Sequence, residues 1–176
     1  GAELRHILAG IFNPTEPGRP VPPTDKRWYH GNRDATDTRD NGHLRPTMAD
    51  VDSAKQALLR QFGKALNSND VTTGSAFVTD DFVWIYYEGP DHPEGRIIRG
   101  FKAACEAVVE RANRLKTPIV FSESNEYSSS DKIFSTYRVS GEFIDTGPFD
   151  VRAIDIYSFR GDRICSKDTY WKIITA

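Results

Sequence analysis

Only two of the 176 residues are cysteine, Cys105 and Cys165, and neither has a partner at a metal-ligand spacing. That argues against a disulfide-stapled scaffold; the two read as small buried thiols in a reducing compartment, which places the chain in the cytoplasm. Histidine is nearly as scarce. His6, His30, His43 and His92 form neither an H-x-x-x-H nor an H-E-x-x-H pattern, so no protein-built metal site is expected. No apolar run approaches the ~18 residues that a membrane span needs. The opening GAELRHILAGIF is short and carries Glu3, Arg5 and His6, which makes a poor signal peptide. A block of one charge sign is missing too. Lys and Arg number 23 against 25 Asp and Glu, a net charge of −2, which speaks against a nucleic-acid surface or a polybasic membrane patch.

What remains is a composition of 38% hydrophobic and 27% charged residues, ordinary for a soluble globular domain. It is unevenly spread. Residues 1–46 hold six of the ten prolines and the polar, aperiodic stretch RDATDTRDNGH. Such an arm cannot build its own core. Its Leu8, Ile11, Phe12, Trp28 and Tyr29 suit anchors that wrap the domain or a partner subunit, because two adjacent aromatics are costly to leave in water.

The domain proper spans 47–176. Thr47 and Asp50 stand at capping-box spacing, with Asp in place of Glu. Val51, Ala54, Leu58, Phe62, Ala65 and Leu66 then recur at helical spacing until Asn67-Ser68-Asn69-Asp70. A weaker helix follows over 71–78, diluted by Thr72, Thr73 and Gly74. FVWIYYE (82–88) is aromatic and β-branched on both faces and reads as a buried strand. After the loop GPDHPEGR, a helix over 100–115 carries Phe101, Ala104, Cys105, Val108, Val109 and Ala112 on one stripe. From Thr117 the texture changes to strands at 118–126, 132–144, 149–160 and 163–174, joined by SSSD, DTGP and RGDR. Helices first and an antiparallel meander after them make the class α+β, a curved sheet with helices enclosing a pocket.

One strand carries the chemistry. In FDVRAIDIYSF (149–159) side chains alternate, so Val151, Ala153, Asp155, Tyr157 and Phe159 share a face. Four of them want burial. A carboxylate among them either is paired structurally or lines a polar cavity, where an uncommitted group is ready for proton transfer. Lys167, Thr169 and Trp171 share a face of the next strand by the same parity, which makes Lys167 a charge partner for Asp155.

These segments resemble the nuclear transport factor 2-like superfamily, in its SnoaL-like polyketide-cyclase group. The resemblance rests on the helix ending in LNSND, the strand DDFVWIYY, the hairpin VRAIDIYSFRGDRI and the terminal KDTYWK, and covers roughly residues 48–174. It implies a cone-shaped α+β fold. The superfamily contains ketosteroid isomerase, scytalone dehydratase, limonene-epoxide hydrolase, polyketide cyclases and non-catalytic binding modules. Aligned on the GDRI turn, Asp155 falls where the cyclases place a catalytic histidine. Thr169 falls where cyclases and epoxide hydrolases place a catalytic aspartate. Asp168 is one position away, on the opposite face. Arg138 matches an arginine of the epoxide-hydrolase site, but Ser140 replaces its second aspartate, and Trp84 and Tyr86 replace its tyrosine and asparagine.

The catalytic set implied is Asp155, Tyr86, Arg138 and Thr169, with Phe82, Trp84, Ser140, Tyr157, Lys167 and Trp171 around the substrate. Asp155 would take a proton, and Tyr86 or Arg138 would donate to an enolate or alkoxide. His92, in the loop near the cavity mouth, is a further general-acid candidate. Such a set suits cofactor-free isomerisation, cyclisation or dehydration of a small hydrophobic carbonyl compound. The alternatives are a non-catalytic binding or dimerisation module, an epoxide hydrolase-like enzyme and an oxygenase small subunit. Apolar residues on both faces of several strands, Ile154 and Ile156 opposite Val151 and Tyr157, also predict a homodimer.

Overall fold

A computed structural model describes residues 48–87 and 94–174. The proline-rich arm, the Thr47–Asp50 cap and His92 lie outside what it describes. Among the described residues no helix is long and apolar enough to cross a membrane.

Helix α1 (Met48–Asn67) buries Leu59, Phe62, Ala65 and Leu66; of the stripe expected from spacing, Ala54 is exposed and Leu58 only half-buried, and Leu59 takes the inward position instead. Asn69 ends the turn after it in the left-handed region, at φ 55°. A five-residue helix α2 (Val71–Ser75) follows, capped by Asp70, whose side chain accepts from the Thr73 N–H at 3.0 Å. Helix α3 (Phe101–Asn113) buries Phe101, Ala104, Cys105 and Val108. Its stripe is narrower than the sequence suggests, because Val109 is 40% exposed. Burial pushes the Cys105 thiol up to about 11, and both cysteines are free.

The strands are β1 (Val78–Tyr87), β2 (Arg96–Arg99), β3 (Leu115–Ser129), β4 (Lys132–Phe143), β5 (Gly147–Arg160) and β6 (Arg163–Ile173). They form one curved six-stranded sheet in the order β2-β1-β6-β5-β4-β3. The meander from β3 to β6 is antiparallel, as the short turns require. Two features differ from the sequence reading. Strand β2 occupies the short stretch left unassigned between the loop GPDHPEGR and the next helix, as the antiparallel partner of β1. Strand β1 joins β6 in parallel, opposing Trp84 to Lys167 and Tyr86 to Thr169. Strand β2, helix α3 and strands β3 to β5 lie between β1 and β6 and make the long connection that a parallel pair needs.

The core lies between the helices and the concave sheet face. Phe62 is its hub, packed edge-on against Phe82, Phe101 and Tyr157 at 5.9, 5.5 and 6.0 Å. The outer face is mixed. It carries the Tyr87–Tyr170 stack at 4.5 Å and the exposed Val120, alongside an ionic ladder of Arg138, Asp150, Glu123 and Arg152.

Gly74 tests this packing. A Cβ there would sit 1.9 Å from the Phe101 ring, and that ring is held by Phe62. Alanine normally gains about 1 kcal/mol over glycine in a helix interior. Here overpacking outweighs it, and Gly74→Ala is expected to lose about 1–3 kcal/mol. The urea midpoint falls with the slope unchanged; a midpoint that rises would mean the ring relaxes freely.

Candidate functional site

Asp155, Lys167 and Thr169 are the buried polar side chains of the described core, at 6, 5 and 1% exposure. Alternation along β5 and β6 aims all three at the concave face, and the register sets Asp155 beside Thr169 and Tyr157 beside Lys167. Lys167 Nζ donates to Asp155 Oδ2 at 2.9 Å and to Thr169 Oγ1 at 2.8 Å. The Thr169 hydroxyl donates to Asp155 Oδ1 at 2.6 Å and accepts from Trp84 Nε1 at 2.8 Å. Tyr157 donates its phenol to Asp155 Oδ2 at 3.1 Å. Thr169 thus spends its one proton and both lone pairs on its neighbours, which fixes its rotamer and that of the carboxylate.

The ammonium lies between two rings, 4.5 Å from the Trp84 centroid and 5.5 Å from that of Tyr157. Burial pushes Lys167 below the ordinary lysine range, against the pull of Asp155. The Tyr157 phenol moves well above its usual value, first through burial and then through the adjacent carboxylate. Tyr137 is raised in the same way.

The group opens onto a cavity of about 530 Å³, within the size range of small-molecule sites. Trp84, Tyr137, Asp155, Tyr157, Lys167, Thr169 and Trp171 form its inner wall. Leu59, Phe62 and Leu66 of α1 and Val108 of α3 close it from the helical side. Its outer end is polar. Strand β3 loses regular pairing with β4 between Ser122 and Asn125, where Glu123 takes φ 54° and Asn125 Nδ2 donates to the Glu123 carbonyl at 3.2 Å. The bulge puts the consecutive residues Ser124, Asn125 and Glu126 on the rim, opposite Arg60, Asn67 and Arg111. Among the described residues no three His, Cys, Asp or Glu side chains gather as metal ligands.

Not every expected residue reaches this cavity. Arg138 is on the outer sheet face, where its guanidinium binds Asp150 through two hydrogen bonds and meets Glu123 at 3.5 Å. Ser140 shares that face, since Val139 is the buried neighbour. Both are corrections of parity, and with them the epoxide-hydrolase set does not assemble. Tyr86 is buried edge-on between Trp84 and Trp171, at 5.5 and 5.4 Å, and is not part of the cavity wall. Phe82 belongs to the core around Phe62, behind the wall. Asp168 faces outward, so the register is the one that brings Thr169 inside. The donor beside Asp155 is therefore Lys167, assisted by Tyr157. The helical residues Arg60, Asn67 and Arg111 and the rim of β3 carry no local sequence signal; only a helix-on-sheet packing could have revealed them.

The sequence profile of the SnoaL-like domain matches residues 59–167. Solved structures with the same fold include an NTF2-like protein from Burkholderia xenovorans, 18% identical, covering 68% of this chain and 90% of that one at a TM-score of 0.55. An NTF2-like protein from Anabaena variabilis is 20% identical over 74% and 96% of the two chains, also at 0.55. A hypothetical protein with a ketosteroid isomerase-like fold from Catenulispora acidiphila, in complex with trimethylamine, is 14% identical over 65% and 85%, at 0.51. At these identities the likeness establishes fold alone. No curated protein matches the chain significantly.

Removing one member of a buried pair strands the other. Asp155→Asn leaves the Lys167 ammonium without its counter-charge and is expected to cost about 3–5 kcal/mol at pH 7. A lysine held below its unfolded value penalises the native state while it is charged. That penalty fades as pH rises through the lowered native value toward the unfolded one. Urea unfolding of variant and parent at pH 7 and pH 9 checks this: the deficit shrinks at the higher pH, and an equal deficit at both would clear the ammonium of blame.

Proposed function

We propose that this chain, which belongs to the SnoaL-like domain family, binds a small hydrophobic carbonyl compound and moves a proton at the carbon beside the carbonyl. The observation that carries this reading is the Asp155–Lys167 pair, 2.9 Å apart, set into the wall of an aromatic cavity. A base and a cationic donor side by side are what enolisation needs. Asp155 takes the α-proton, the C–H electron pair moves into the carbonyl, and the enolate oxygen accepts from Lys167. Lys167 has committed two N–H groups, one to Asp155 and one to Thr169, so its third serves the substrate. Return of the proton at another carbon of a conjugated substrate gives an isomerase. Attack of the enolate carbon on a second carbonyl gives a cyclase. Neither path requires a cofactor.

Thr169 and Trp84 hold the carboxylate without touching the reacting atoms. Trp171 and Tyr157 offer flat apolar surface, which suits a ring-bearing substrate. A second reading, a ligand-binding module without chemistry, is favoured by one observation. Asp155 already accepts three hydrogen bonds, from Thr169, Tyr157 and Lys167, which leaves little of its oxygens free to meet a substrate.

Proton exchange separates the two. Cyclic and aromatic ketones that raise the melting temperature are incubated with the chain in deuterated buffer, and α-deuterium is followed by mass spectrometry. Asp155→Asn, under conditions where circular dichroism finds it folded, is expected to slow exchange by at least about 100-fold. Asp155→Glu, which keeps the charge but displaces it, is expected to lose rate while retaining the bound ketone. Exchange no faster than buffer for every bound ketone, or unchanged exchange in Asp155→Asn, would hand the site to the binding-module reading.

A further inference from the structure

Charge is unbalanced in the cavity. Its charged lining residues are Arg60, Arg111 and Lys167 against Glu126 and Asp155. Three cations less two carboxylates leave one positive charge over. Lys167 is bound to Asp155 at 2.9 Å, and Arg60 is the cation that acts on Glu126. Arg111 is the one left. Its neighbours at the end of α3 are satisfied: Glu110 pairs with Arg96 and Arg114 with Asp145, each at 2.9 Å. Arg111 has no ion pair or side-chain hydrogen bond among the described residues, although it is half-buried.

A cation in the last turn of a helix is ordinary, because the C-terminal carbonyls attract it. That explains a positive residue at this position, but not one that lines the cavity. The field of Arg111 also reaches Lys167 and Tyr137, two other lining residues, so its charge is felt inside the cavity. Asn67 and Asn125 add amide donors at the same end. A neutral ligand filling this space would strip water from Arg111 and give nothing back, whereas a carboxylate would engage the planar guanidinium through two parallel hydrogen bonds.

We propose that the cavity takes an amphiphilic carboxylate. Its apolar, carbonyl-bearing body lies against Trp84, Tyr157 and Trp171, and its carboxylate is held at the outer end by Arg111. The carbonyl end rests on the acid–base reading above; the anionic end rests on the charge and placement of Arg111 alone.

Matched probes test it. Bicyclic aromatic ketones are prepared as the free carboxylate and as the carboxamide, and both are titrated calorimetrically into the full chain. The carboxylate is expected to bind at least about tenfold tighter than its amide. That preference shrinks between about 0.05 and 0.5 M salt, because a partly exposed pair is screened. Arg111→Gln abolishes the preference and leaves amide affinity in place, while Arg111→Lys keeps part of it. Equal affinities for acid and amide in the parent chain overturn the proposal, as does a preference that survives Arg111→Gln. Should Arg111→Gln not fold, the parent's acid–amide ratio and the Arg111→Lys ratio still decide. Failure of the two readings looks different: a carboxylate preference without proton exchange keeps the anionic subsite and sinks the enolisation chemistry. Exchange on neutral ketones without a carboxylate preference does the reverse.

Discussion

A lysine ammonium and an aspartate carboxylate face each other almost out of water, and the rest of this architecture has to make that tolerable. Desolvating each ion costs several kcal/mol, and their attraction offsets this only when the remaining lone pairs and N–H groups also find partners. Thr169, Trp84 and Tyr157 supply them, from three different strands. The pairing of β5 with β6 and the parallel pairing of β1 with β6 are therefore tied to one network. A slip of one residue in β6 would carry Lys167 and Thr169 to the outer face and bring Asp168 inside, beside Asp155. Two carboxylates facing each other with no cation would have to give up a charge by sharing a proton, so charge as well as apolar burial favours the observed register.

The same alternation that builds the network also limited what could be read from residues alone. Along β5 the pattern is clean, since Val151, Ala153, Tyr157 and Phe159 flank Asp155 on one face and Arg152 lies on the other. Asp155, Lys167, Thr169, Tyr157 and Trp171 could all be placed correctly from parity. Strand β4 reads KIFSTYRVSGEF, where Ile133, Tyr137, Val139 and Phe143 share the odd face and Phe134 alone departs from it, so parity favours Arg138 and Ser140 on the outer face. Arg138 and Ser140 were misplaced because the borrowed epoxide-hydrolase pattern was followed against that parity. The helices and four meander strands follow local periodicity and turn chemistry, which is why they were legible. The parallel β1–β6 contact joins residues more than 80 positions apart, and nothing local encodes it. Strand β2 has only four residues, three of them exposed, so it leaves almost no pattern.

The cavity itself is a product of unequal coverage. The helices reach the sheet where Phe62, Phe101 and Leu59 meet Phe82 and Ile133, and there the interior is solid. Between the helices and the strands β3 to β6 a space remains, walled by aromatics and lined at its polar side by charge. The interior is thus graded, from a dry ion pair through rings to arginines in contact with solvent.

The irregular stretch at Ser122–Asn125 sits on the outermost strand, with a neighbour on one side only. Adding or deleting a residue there would reshape the rim formed by Ser124, Asn125 and Glu126 while every pairing that holds Asp155 and Lys167 stayed as it is. The molecule separates its interchangeable part from its fixed part: the shape of the rim can drift by single-residue steps at an edge, under no obligation to the buried charges. A lineage built on this plan would diversify at the rim and keep its buried ion pair, and a designer wishing to reshape the cavity would begin at that same edge.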